Sequence, residues 1–165
     1  MTPTLTPALM LGLACILFLW AIILGIMLAF ARFGKEANPP PVLVWWHGSF
    51  AVVGFLILLY GSFFVGYPLL ANLGVILISL AALFGFWMYF NYHRKEVLIP
   101  PPVVWGHGLV AVIGFLLIIA GMLNLQEANM ESEERPMRAV IVYPIESTQK
   151  SAFDELRNVH LLALN

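Results

Sequence analysis

Two histidines in matching apolar surroundings carry the clearest chemical signal in this sequence. His47 and His107 are 60 residues apart; each follows three consecutive prolines, precedes a glycine and opens a long hydrophobic run. Ionisable side chains are costly inside a bilayer, so a histidine in such a run marks a candidate site. Its duplication, together with the flanking glycines, predicts a paired site.

Imidazole is a common axial ligand of haem iron, so two imidazoles at equal depth are able to hold one haem b from both sides. Glycines beside each histidine, and one or two turns beyond it, leave room for a flat macrocycle, and tryptophans pack at its edge. His47 and His107 are the predicted iron ligands. The predicted cofactor-binding set is His47, His107, Gly48, Gly54, Gly108, Gly114, Trp45 and Trp105. Four basic residues lie at the level where haem propionates would emerge: Arg32, Lys35, Arg94 and Lys95.

The same pattern has a structural explanation. Stripes of small residues pack membrane helices closely, and tryptophans gather at the membrane surface. A neutral histidine near that surface can donate to a backbone carbonyl. Another ligand, such as a chlorin or a quinone, is a third possibility. His93 is the reserve ligand, although it also fits a solvated basic cluster, and His160 is expected at the surface.

The composition predicts an all-α integral membrane protein. The chain has 165 residues, of which 61% are hydrophobic and 10% are charged. A membrane-spanning helix needs about 20 consecutive apolar residues. Four uncharged stretches meet that length: Ala8–Phe30, Val42–Phe64, Leu69–Tyr89 and Val103–Leu123.

The 60-residue offset extends beyond the histidines, since Gly25 matches Gly85 and Lys35 matches Lys95. This predicts a four-transmembrane-helix bundle from two tandem, parallel two-helix repeats, at about 1–61 and 62–121. The repeats should be related by an approximate two-fold axis along the membrane normal. Spans two and four are then parallel, and we expect them to face each other, or a shared ligand, through their small-residue stripes.

Two regions follow from this organisation: a transmembrane domain over 1–125 and an extramembrane tail over 126–165. The sequence of the tail predicts an extended segment at 139–143. It also predicts a short amphipathic helix from Ser147, because apolar residues recur there at helical spacing: Phe153, Leu156, Val159 and Ala163.

Charge and motifs limit the function. Basic residues in the two proline-rich loops predict that these loops are cytoplasmic, with both termini outside a bacterial inner membrane. The net charge of −1 argues against a nucleic-acid partner. A single cysteine excludes an intrachain disulfide, and no nucleophile–base pair or phosphate-binding loop is present, so we expect no enzymatic activity of its own.

The expected architecture is similar to that of four-helix membrane b-type cytochromes, although these often carry more histidines and place their ligands on other helix combinations. The similarity implies an electron-transfer subunit of a larger respiratory or photosynthetic complex. The alternative is a cofactor-free accessory subunit of such a complex. Expected partners are the lipid bilayer and either a larger membrane complex or further copies of the chain.

Overall fold

The computed structural model describes residues 6–35 and 37–162, with side chains described through Ser132 and at Lys150, Asp154 and Glu155. The described residues form four α-helices and no strand. They are α1 (Pro7–Lys35), α2 (Pro41–Tyr60), α3 (Leu69–Met88) and α4 (Pro101–Leu162). Two π-helical turns, Gly61–Val65 and Tyr89–His93, follow α2 and α3. The predicted all-helical fold is confirmed.

Four segments are long and apolar enough to cross a membrane: Pro7–Lys35, Pro41–Val65, Leu69–His93 and Pro101–Ser132. Proline sets where two of them begin. Pro41 and Pro101 occupy the first helical position, where the missing N–H has no intrahelical partner to lose. Gly66, in the connection between α2 and α3, has φ of 87°, which glycine adopts without strain.

Within residues 6–125, each hairpin is held together by close contact at glycine. Gly54 of α2 lies against Leu17 and Phe18 of α1. Gly121 of α4 lies against Ala71 of α3, so closely that a Cβ atom on Gly121 would stand 2.6 Å from the Ala71 nitrogen. Small residues therefore set the helix spacing inside each hairpin.

Aromatic pairs close the bundle between the hairpins. The rings of Trp45 in α2 and Tyr89 meet edge-on with centroids 6.1 Å apart. Trp105 in α4 stacks on Phe33 in α1 at 5.7 Å. The helices therefore follow the order α1, α2, α3, α4 around the bundle, and α2 and α4 are diagonal partners.

The stripes of spans two and four do not pack directly on each other, although the histidines of both stripes line one cavity. Gly54 packs on α1, and Gly114 packs on Leu77 and Ile78 of α3. The reason is steric. A glycine stripe accommodates the nearest neighbouring helix, and in an up-and-down bundle that neighbour is the hairpin partner, while the diagonal helix lies farther away.

The chain divides into two compact units, residues 1–125 and 126–165. The prediction of an extended segment at 139–143 is wrong, because α4 continues as a helix to Leu162. An isolated strand would leave its backbone groups without a partner strand, whereas a helix satisfies them internally. The predicted amphipathic face and His160 lie outside the described side chains.

Candidate functional site: two imidazoles on an apolar cavity

His47 on α2 and His107 on α4 converge across the centre of the bundle. Their ring centroids are 6.3 Å apart and their planes make an angle of 70°. Both line one cavity of about 500 Å³. That volume lies within the range of roughly 300–1,000 Å³ typical of small-molecule and cofactor sites. The predicted pairing of the two histidines is therefore present in the bundle.

Equivalent positions of the two repeats line this cavity. The matching pairs include Ala21 with Ala81, Gly25 with Gly85, Ala51 with Ala111, and Phe55 with Phe115. The cavity thus lies between the hairpins, and each repeat supplies a similar half of its wall. A flat, apolar guest with two similar faces would suit such a space.

A backbone hydrogen bond orients the His47 ring. Its Nδ1 atom lies 2.8 Å from the carbonyl oxygen of Ala21 in α1. A carbonyl oxygen only accepts, so Nδ1 donates and the lone pair of the neutral ring resides on Nε2. Metal-ligating histidines are commonly held in this way, with one nitrogen donating to a carbonyl and the other free to ligate.

The His107 ring differs in one respect. Its Nδ1 atom is buried and forms no hydrogen bond within the part of the chain that the structure describes. The repeat equivalent of Ala21 is Ala81, which lines the same cavity. A small rotation toward that carbonyl would give His107 the same orientation as His47.

Gly25 and Gly85 make room for the imidazoles. A Cβ atom on Gly25 would lie 3.2 Å from Cε1 of His47, and one on Gly85 would lie 3.1 Å from Cε1 of His107. Both distances are tighter than ordinary van der Waals contact. Gly25 and Gly85 were not among the predicted site residues, although their match at the 60-residue offset was a signal for them in the sequence.

Not every predicted site residue reaches the cavity. Gly108 and Trp105 line it together with the histidines. Gly54 and Gly114 instead serve helix packing within the hairpins.

Gly48 and Trp45 also take other places. A Cβ atom on Gly48 would meet no heavy atom within 4 Å. Trp45 is 64% exposed and contacts Tyr89. The structure therefore joins half of the predicted set at one cavity.

A buried arginine lies at the end of the cavity nearest the proline-rich loops. Arg32, in the last turn of α1, lines the cavity and is only 7% exposed. Its Nε atom donates to the carbonyl oxygen of Ile99 at 2.6 Å. The other predicted basic residues, Lys35, Arg94 and Lys95, are exposed. Sequence reasoning did not separate Arg32 from them.

His93 lines the cavity at the same end. It belongs to the π-helical turn Tyr89–His93, and its ring stacks on Tyr89 with centroids 5.7 Å apart. Its Nδ1 atom is buried without a hydrogen-bond partner among the described residues. π-Helical turns are frequent at functional sites, because they redirect side chains within a helix.

Asn38 joins the two proline-rich loops. Its Nδ2 atom donates to the carbonyl oxygen of Val97 at 2.8 Å, and its Oδ1 atom accepts from the Ile99 nitrogen at 3.3 Å. Arg32 bonds to Ile99 as well, so this end of the cavity is held by both repeats. Nothing in the sequence pattern indicated this contact.

The described side chains bring two imidazoles together at this cavity. Among the described residues, no group of three or more His, Cys, Asp or Glu could hold a metal ion. Two imidazoles suffice for haem, where the macrocycle binds the iron in its plane.

No known protein family, curated protein or solved structure matches the chain.

Proposed function

We propose that the chain is a small membrane b-type cytochrome that binds one haem between its two hairpins, with His47 and His107 as axial ligands. The observation that carries this proposal is the convergence of the two imidazoles, one from each repeat, on a single apolar cavity of about 500 Å³.

The ring separation supports two ligands on one iron. An imidazole nitrogen lies about 2 Å from the metal it binds and about 1 Å from its ring centroid, so two imidazoles on opposite sides of a metal have centroids about 6 Å apart. The separation of 6.3 Å between His47 and His107 agrees with this value.

The surrounding residues support the same assignment. The Ala21 carbonyl fixes the His47 tautomer that leaves Nε2 free to ligate. Gly25 and Gly85 accommodate the rings, and Phe55 and Phe115 supply apolar walls. Haem contributes one-electron redox chemistry when bound. The chain's own part is to orient the ligands, exclude water and set the electrostatic environment.

We further propose that the protein transfers electrons within a larger respiratory or photosynthetic complex. The basic residues of the two proline-rich loops support a location of the haem near the cytoplasmic side of a bacterial inner membrane, with both termini outside. Contact with lipid is supported by four helices apolar enough to cross a bilayer.

A second candidate is a cofactor-free accessory subunit. One observation favours it: aromatic rings also pack edge to face at centroid separations of about 4.5–7 Å, so the two imidazoles fit a direct contact too. On this alternative the histidines stabilise the bundle and bind nothing.

The reduced-minus-oxidised visible spectrum separates the two candidates. We expect the full chain, expressed with sufficient haem and purified in mild detergent, to show a low-spin b-type spectrum. His47→Ala and His107→Ala should each abolish that spectrum or convert it to a high-spin one, because one axial ligand is lost. His160→Ala, in the tail, is the matched control. A stable protein without a Soret band would contradict the proposal and favour the accessory subunit.

A further inference from the structure

The two halves of the cavity are not identical, and the ionisable side chains that distinguish them lie at one end. Arg32 and His93 both line the cavity. Their repeat equivalents are Tyr92 and Phe33, which carry neither a guanidinium nor an imidazole. α1 and α3 run in the same direction, so the last turns that carry Arg32 and His93 lie at the same end of the bundle.

The Arg32 guanidinium has more hydrogen-bond donors than the described residues use. A guanidinium carries five N–H donors, and the described residues account for one hydrogen bond, from Nε to the Ile99 carbonyl. A buried charge is costly unless an opposite charge or several hydrogen bonds compensate it. No described carboxylate pairs with Arg32. Glu36, one helical turn farther along the sequence, lies outside the described residues, so a Glu36→Gln variant is needed to test whether it pairs with Arg32.

Arg32 is placed to contact an acidic group on a guest that the histidines hold. Gly25 contacts the His47 ring, and Arg32 follows it by seven residues, or about 10 Å along the helix axis. Side chains in a helix lean toward its N-terminus, which here is toward the histidines. The bond from Nε to the Ile99 carbonyl fixes the guanidinium beside the second proline-rich loop, at the loop end of the cavity that the histidines also line.

We infer that Arg32 and His93 form a carboxylate subsite that binds a haem propionate and turns the acidic edge of the macrocycle toward the proline-rich loops. This inference rests on the proposed function. Arginine binds a carboxylate through two parallel N–H···O bonds, and the unpartnered His93 nitrogen supplies a further donor. The nearly symmetric walls would otherwise accept the macrocycle in either direction.

Haem and haem dimethyl ester are the two probes, titrated into the detergent-solubilised apoprotein and followed in the Soret band. Wild type should bind haem about 10- to 100-fold more tightly than the ester, the range expected for one to two charge-assisted hydrogen bonds. In Arg32→Gln this preference should vanish, because affinity for haem falls to that for the ester. His93→Gln should reduce the preference partly, and Arg32→Lys should retain part of it.

Arg94→Gln is the matched control, since Arg94 is an exposed cation near the same end of the bundle, and it should preserve the full preference. Glu36→Gln should do so as well. Equal binding of haem and ester by wild type would overturn the subsite while leaving axial ligation by His47 and His107 intact. An equal loss of both probes in Arg32→Gln would overturn it too. Failure of wild type to bind either probe would overturn the subsite together with the proposed function.

Discussion

At the scale of single residues, the centre of the bundle is organised around the space that two imidazole rings need. His47 is oriented by the Ala21 carbonyl, and Gly25 leaves its Cε1 edge unobstructed. The same relation links Gly85 to His107. Each histidine therefore packs against the first helix of its own hairpin, which makes these glycines part of the site through their contact with the rings.

Alanine at either glycine should disturb the histidine beside it. Because the new methyl group would stand 3.2 Å from His47 or 3.1 Å from His107, the ring must move. Overpacking of this kind costs roughly 1–3 kcal/mol, so we expect Gly25→Ala and Gly85→Ala to weaken haem binding about 5- to 100-fold. A Soret titration measures the change. Gly12→Ala in the same helix as Gly25 is the control, because its Cβ would meet no heavy atom within 4 Å. Unchanged affinity in both site variants would contradict this positioning role.

At the scale of helices, the hairpin is the packing unit. Its tightest contacts occur where glycine meets the backbone or a small side chain of the partner helix, as at Gly121 and Ala71. Between the hairpins, the contacts are aromatic pairs and the hydrogen bonds of Arg32 and Asn38 to the second proline-rich loop. A cavity remains between the hairpins because the closest helix contacts occur within each hairpin.

Substitution of Gly121 should therefore loosen the second hairpin. A Cβ atom there would lie 2.6 Å from the backbone nitrogen of Ala71, which cannot move aside without displacing α3. We expect Gly121→Ala to lower the free energy of unfolding by roughly 1–3 kcal/mol. Thermal unfolding in detergent, followed by circular dichroism, measures this. Gly106→Ala, in the same helix, would meet only Phe84 at 3.8 Å and should change stability little. Equal melting temperatures for the two variants would contradict the packing argument.

At the scale of the whole molecule, the sequence was sufficient to predict the four spans, the repeat and the convergence of the two histidines. Long uncharged runs leave few alternatives to membrane helices, and an even number of spans per repeat makes the copies parallel. His47 and His107 then occupy equivalent depths by symmetry.

The remaining features depend on contacts between distant residues. The burial of Arg32 requires the carbonyl of Ile99, and the loop contact of Asn38 requires Val97. The π-helical turn that carries His93 has no sequence signature of its own. The glycine stripes were recognised, but a stripe identifies a close neighbour without saying which helix it is.

The orientation of the bundle in the membrane is testable with single cysteines. In a Cys15→Ser background, we expect Thr6→Cys to react with a membrane-impermeant thiol reagent on intact cells, since the termini should face outward. Ala37→Cys, in an exposed position of the first proline-rich loop, should react only after the membrane is permeabilised. Labelling of Ala37→Cys alone in intact cells would reverse the assignment.

The internal repeat also bears on the origin of the site. Under the proposed function each hairpin carries one iron ligand, so a chain of half this length would complete the coordination only by associating with an identical chain about a true two-fold axis. Tandem fusion of two such hairpins removes the need for assembly. It also allows the two halves to differ in sequence. A residue such as Arg32 is then free to appear on one side alone, and the bound guest acquires a preferred direction that an exact dimer could never impose.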